Sequence, residues 1–362
     1  MLQSELIIPT GILLIAIITL IFIRAVKGRS RSEQPAKEAE SAAGDNSTQT
    51  GQAVTDQHST PETDELMLEL WRLAFDSKEL EYTIAGEHAK VLKIVREEIP
   101  KAISVRTNFP RRPMIIPKLM AAIKNDESSL NELVKIISQD PVITGDVLRL
   151  ANGAFYRISE EPVETLGRAI VLLGTDGLRS LVAHSVMQPI FEVPTGYYEN
   201  FAPLVWDLST RSAVAAQAWA RATKSCDSFS AHLIVLIHYI SYIVLFKITA
   251  DVYQRKSGLL PRPEVFTHVL AEQVDRLARL ISEDWELPEN MQQAFSESEK
   301  KAAPDNSGTL AKAALLGRMV GLSSLLHSQG ILNEDQVRFF LESKGIPTNH
   351  VNLMWQSAKG NA

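Results

Sequence analysis

Hydrophobic side chains are distributed along this chain in three regimes. From Leu6 to Ile23 the sequence LIIPTGILLIAIITLIFI runs eighteen residues without a charge, close to the ~20 that a membrane-spanning helix requires. Residues 28–61 are Ser, Thr, Gln, Glu, Ala and Gly with almost no large apolar side chain, too little to offset the entropy of ordering. Beyond them, apolar residues recur at three- and four-residue spacing, the mark of amphipathic helices. Leu66, Leu70, Trp71 and Ala74 share one helical face. Asp76-x-x-Glu79 reads as a capping box that opens a helix bearing Leu80, Ile84, Val91 and Val95. Phe109-Pro110-Arg111-Arg112-Pro113 breaks the pattern and reads as a solvated turn. Two helices are expected between Met114 and Gln139, the second opened by Ser129-x-x-Glu132.

The stretch from Ser138 to Gly174 carries the sharpest local signals. Asp140-Pro141 starts a helix, because Asp accepts the orphan N–H groups of the first turn and Pro needs no donor there. Ile143, Val147, Leu148, Leu150 and Ala151 form its apolar face, and Asn152-Gly153 ends it. A second helix from about Glu164 to Leu173 stops at Gly174, and Thr175-Asp176 opens a third that ends near Pro189. Further helices are expected over 203–223, 229–253, 263–282, 288–297 and 308–329, then one opened by Asn333-x-x-Gln336 and one around 351–355. Within them, LIVLIHYISYIVLF at 233–246 is uncharged but short for a span and carries His238, Ser241 and Tyr242, so a buried core helix is expected.

The fold class is therefore all-α. Composition narrows the chemistry. The chain has 362 residues and a formal net charge of −6, which argues against a dominant nucleic-acid surface. Cys226 is the one cysteine, so no intrachain disulfide forms. Glu5 precedes the first apolar run and Arg24, Lys27, Arg29 and Arg31 follow it. That layout is the reverse of a cleaved signal peptide and holds the C-terminal side in the cytoplasm. No P-loop, dinucleotide-binding or nucleophile-elbow motif occurs, and no two histidines have metal-ligand spacing.

Ile136-Ile137-Ser138-Gln139-Asp140-Pro141, Leu148-Arg149-Leu150-Ala151-Asn152-Gly153-Ala154-Phe155-Tyr156, Ala169-Ile170-Val171-Leu172-Leu173-Gly174 and Trp285-Glu286-Leu287-Pro288 resemble the signature blocks of the HDOD family. This is a helical relative of the HD metal-dependent phosphohydrolases, used in bacteria as a signalling module. With the patterning above, the resemblance, which covers 108–299, divides the chain into an anchor (1–27), a disordered linker (28–61), a helical hairpin (62–107), the HDOD-like domain (108–299) and C-terminal helices packing on it (300–362). The family-signature positions are Asp140, Pro141, Asn152, Gly174, His238, Trp285 and Pro288.

In active HD proteins a metal ion held by His and Asp lowers the pKa of a bound water. By this resemblance the ligand positions here read Leu208, His238, Tyr239, Val274 and Ser298-Glu299, and the late helix over 308–321 has no acid. One imidazole does not make a catalytic metal site, so no catalytic residue, metal or cofactor is expected, and His238 reads as a core histidine. The expected function is a non-catalytic signal-transduction module at the bacterial inner membrane, anchored through Leu6–Ile23, its cytoplasmic domain binding a protein partner or a small signalling ligand. The alternatives are a divergent metal-dependent phosphodiesterase or phosphohydrolase, and a helix-turn-helix-like nucleic-acid binder. Against the latter, Asp140, Asp146, Glu160, Glu161, Glu164 and Asp176 crowd the relevant helices, so nucleic acid is not an expected partner. Sequence does not specify the partner or the oligomeric state.

Overall fold

A computed structural model of the chain describes residues 63–359, apart from 81–82, 106–109, 111, 122–133, 136, 140, 154–155, 158–159, 194–195 and 301–307. All of these fall within the unit His58–Ala362. The apolar run at 6–23, the linker, the Ser129–Glu132 helix start and Asp140 lie outside the described residues.

Twelve α-helices and one short 3-10 turn make up the ordered elements, with no strand among the described residues. The first, α1 (Thr63–Phe75), buries Leu66, Leu70, Trp71 and Ala74 on the face that their spacing predicts. Asp76 ends this helix instead of opening the next one. Its φ is 49°, its N–H donates to Leu73 O and that of Ser77 to Arg72 O, the pair of bonds that closes a left-handed helix stop. The following helix, α2 (Gly86–Val105), begins only at Gly86. After α3 (Ile116–Ala121) come α4 (Pro141–Ala151) and α5 (Leu166–Met187), whose N-cap is Thr165. Gly174 bends α5 with φ 69° and ψ 178°, a combination reserved almost wholly for glycine.

The remaining elements are α6 (Phe201–Thr223), α7 (Ser228–Gln254), α8 (Pro263–Asp284), α9 (Glu289–Glu299), α10 (Thr309–Ser328), α11 (Glu334–Ser343) and α12 (Thr348–Lys359). Helix α7 is the axis. It is apolar on every side and buried on every side, packed by α2, α5, α6, α8 and α10. Both α7 and α10 are long and apolar enough to cross a membrane, yet 94% and 72% of their apolar windows are covered by the rest of the fold, so they serve as core helices here.

Helices α6 and α10 meet backbone to backbone. A Cβ added at Gly317 would lie 2.6 Å from Ala216 Cβ and 2.7 Å from Ser212 O; one at Gly321 would lie 2.6 Å from Ser212 N. Glycine is required at both positions for this approach. At the C-terminus, Asn333 and Gln336 cap α11 reciprocally, and α12 packs on α6 and α10.

Candidate functional site

The close α6–α10 contact sets one face of α10 against the middle of α7. Leu315, Arg318, Met319 and Leu322, spaced i, i+3, i+4 and i+7, look across at His238, Tyr239 and Tyr242. Leu208 of α6 and Thr63 and Met67 of α1 complete the walls of a cavity of ≈ 160 Å³.

The polar groups gather on one side. Arg318 Nη1 lies 2.7 Å from His238 Nε2 and 3.0 Å from Nδ1. Burial, and then the Arg318 charge, hold the His238 pKa well below its ordinary value, so the ring is neutral and accepts from the guanidinium. Asp275 Oδ1 stands 3.7 Å from Arg318 Nη1 and 3.6 Å from His238 Nδ1. Because the imidazole is uncharged, Asp275 offsets the arginine and is no ion-pair partner of the histidine. Tyr239 Oη sits 3.1 Å from Ser212 Oγ, and burial pushes its pKa up to about 12.

These groups do not fit a metal ion. The sole imidazole of the cavity points its lone pair at a guanidinium, and a second cation beside Arg318 would be repelled. Leu208 and Tyr239 do reach the cavity where the HD resemblance puts ligands, but they bring no metal-binding donor set. Glu299 is committed to Arg279 Nε at 2.6 Å. Among the described residues, no three His, Cys, Asp or Glu side chains are grouped to hold a metal.

Of the described signature positions, His238 is the one that lines the cavity. Pro141 is exposed at the start of α4. Asn152 clamps the end of α4 to the following loop: its Nδ2 donates to Leu148 O and Val163 O, and its Oδ1 accepts from Val163 N at 2.7 Å. Gly174 is the bend of α5. Trp285 is fully buried, with Nε1 donating to Pro110 O, and Pro288 caps α9. Arg112, read from sequence as part of a solvated turn, instead donates to Trp285 O and to Glu286 Oε2.

Sequence reasoning passed over Arg318 and Asp275. One signal was present: Arg318 is the lone charge from Ala313 to Leu326, on the face it shares with Leu315, Met319 and Leu322. A second buried group also escaped notice. His184, His232 and Tyr156 meet with His184–His232 and His184–Tyr156 ring centroids both 6.3 Å apart. His184 Nε2 is 3.1 Å from Thr210 Oγ1. Among the described residues, His184 Nδ1 and Tyr156 Oη have no hydrogen-bond partner, and the polar contact of His232 is with the Ala213 backbone, outside good hydrogen-bond geometry. Burial lowers the His232 pKa to about 3 and that of His184 well below its ordinary value.

Comparison with known proteins agrees with this architecture. An uncharacterized protein of Treponema pallidum is 21% identical over 223 residues, covering 54% of this chain and 41% of that protein. The chain thus spans less than half the length of this curated relative. A candidate metal-dependent phosphohydrolase from Shewanella amazonensis superposes with a TM-score of 0.53 at 15% identity, covering 75% of this chain and 98% of that one. An HDOD domain protein of unknown function from Geobacter sulfurreducens gives 0.50 at 16% identity, over 74% and 89%. At such identities the likeness is one of fold. The HDOD domain family model matches residues 109–301, more than half of the sequence and the stretch that builds α3 to α9 around the cavity histidine, and on that ground the chain belongs to the HDOD family.

Proposed function

We propose that the protein is a non-catalytic signal-transduction module, tethered to the bacterial inner membrane through residues 6–23, whose cytoplasmic helical domain binds a protein partner or a small ligand. The observation that carries this reading is the placement of Arg318 on the ring nitrogens of His238. A guanidinium stands where a hydrolase of this ancestry would need a cation free to activate water. It is covalently part of the chain and cannot carry a bound hydroxide. The charge layout after the first apolar run, Arg24, Lys27, Arg29 and Arg31, supports a cytoplasmic domain.

The competing reading is a divergent phosphohydrolase in which Arg318 swings aside and His238 and Asp275, 3.6 Å apart, take a metal together. Full-length protein in lipid nanodiscs, incubated with manganese, iron or nickel and then desalted, separates the two. We expect far less than one metal per chain and no hydrolysis of bis-p-nitrophenyl phosphate. A stoichiometric metal that is lost in His238→Ala, with matching loss of turnover, would support the hydrolase instead.

A further inference from the structure

The cavity beside His238 has a chemistry of its own. Its volume of ≈ 160 Å³ is roughly ten times the ~10–15 Å³ that one buried water needs. Met67, Leu208, Leu315, Met319 and Leu322 give it an apolar wall, a surface that water wets poorly. One charged group breaks this apolar lining: Arg318 faces the cavity with 20% of its side chain exposed, so its fork of donors is reachable. Asp275 lies 3.7 Å from Nη1, beyond hydrogen-bond length, and among the described residues the hydrogen bonds of Arg318 run from Nη1 alone, to His238. Tyr239, held as a phenol by burial, stands beside it as a further neutral donor.

We infer that this cavity binds a small amphipathic anion, with a phosphate or carboxylate head on Arg318 and an apolar or aromatic body against the leucines and methionines. This deepens the non-catalytic reading above and rests on it. Occupancy is communicated through α1. Thr63 and Met67 line the cavity, and Trp71, one turn further on, packs its ring 5.8 Å from Tyr242, which lines it too. A ligand seated there therefore touches the first helix that follows the linker and tightens its hold on α7.

Phenyl phosphate is a suitable probe, because it carries both features and is also a substrate that a phosphomonoesterase would cleave. Full-length protein in nanodiscs is titrated with phenyl phosphate and, separately, with phenol, while phenol release and amide exchange in α1 are followed. The expected result is saturable binding of phenyl phosphate without cleavage, much weaker binding of phenol, and slower exchange in α1. Arg318→Gln should weaken binding about ten- to a hundredfold, the loss of one charge-assisted contact. Met319→Trp, which fills the cavity and leaves the charge in place, should abolish it. Equal affinity for phenol, or binding unchanged in both variants, overturns the proposed site; binding that leaves α1 exchange unaltered overturns the coupling. Failure of phenyl phosphate to bind or react sinks this inference and spares the non-catalytic reading, whereas metal-dependent release of phenol sinks that reading itself.

Discussion

Two regions of the helical core bury histidine, and they satisfy it differently. At the cavity, His238 accepts from Arg318 at 2.7 Å, with Asp275 balancing the charge. In the α5–α6–α7 region, His184 keeps one hydrogen bond and His232 has only a poorly placed contact with the Ala213 backbone. Both settings hold the ring neutral by burial. The difference teaches that a buried imidazole is not by itself a site. What marks His238 out is a cavity and a charged partner arranged around it.

The largest test of that comparison is acid. In all three rings the folded-state pKa lies below the unfolded value near 6.5, so between these values the unfolded chain binds protons that the folded chain refuses. Stability is complete above about pH 6.5 and falls with decreasing pH, by up to ~1.4 kcal/mol per unit for each ring. Denaturant unfolding at pH 5.5 should therefore show a loss of up to about 4 kcal/mol relative to pH 7.5. A double variant His184→Phe, His232→Leu should remove about two thirds of that slope; an unchanged slope would mean that these rings titrate normally.

Next in size is the contact that presents Arg318. Gly321→Ala drives a Cβ into the Ser212 backbone and should cost about 3 kcal/mol. Thermal unfolding measures this, and a neutral result would show that α6 and α10 are further apart than described. Smaller, but opposite in sign between the two regions, are two matched substitutions. His238→Leu leaves the partly buried guanidinium without its acceptor and should destabilise by about 1–3 kcal/mol. His232→Leu removes poorly satisfied nitrogens and should be neutral, or stabilising by about 1 kcal/mol. Equal effects would mean that the two histidine settings do not differ.

The helices were legible because their causes are local. The face of α1, the Asn152-Gly153 stop, the Gly174 bend and the Asn333–Gln336 cap all follow from residues within a few positions of one another. Asp76 misled for the same reason. Asp-x-x-Glu suits a helix start, yet Asp also tolerates the left-handed conformation that ends α1. The site was legible only in part. His238 was singled out from sequence, but its partners stand 80 residues away at Arg318 and on another helix at Asp275. Arg318 is brought in by the Gly317 and Gly321 approach and Asp275 by the packing of α8 on α7, neither of which a period or cap announces. The meeting of His184 with His232 is of the same kind.

The most direct test of the central claim is a crystal structure of the protein grown in excess manganese, with anomalous data at the cavity. No ion peak is expected, and Arg318 Nη1 should remain within hydrogen-bond distance of the His238 ring. A manganese ion coordinated by His238 and Asp275, with the Arg318 side chain displaced, would contradict it.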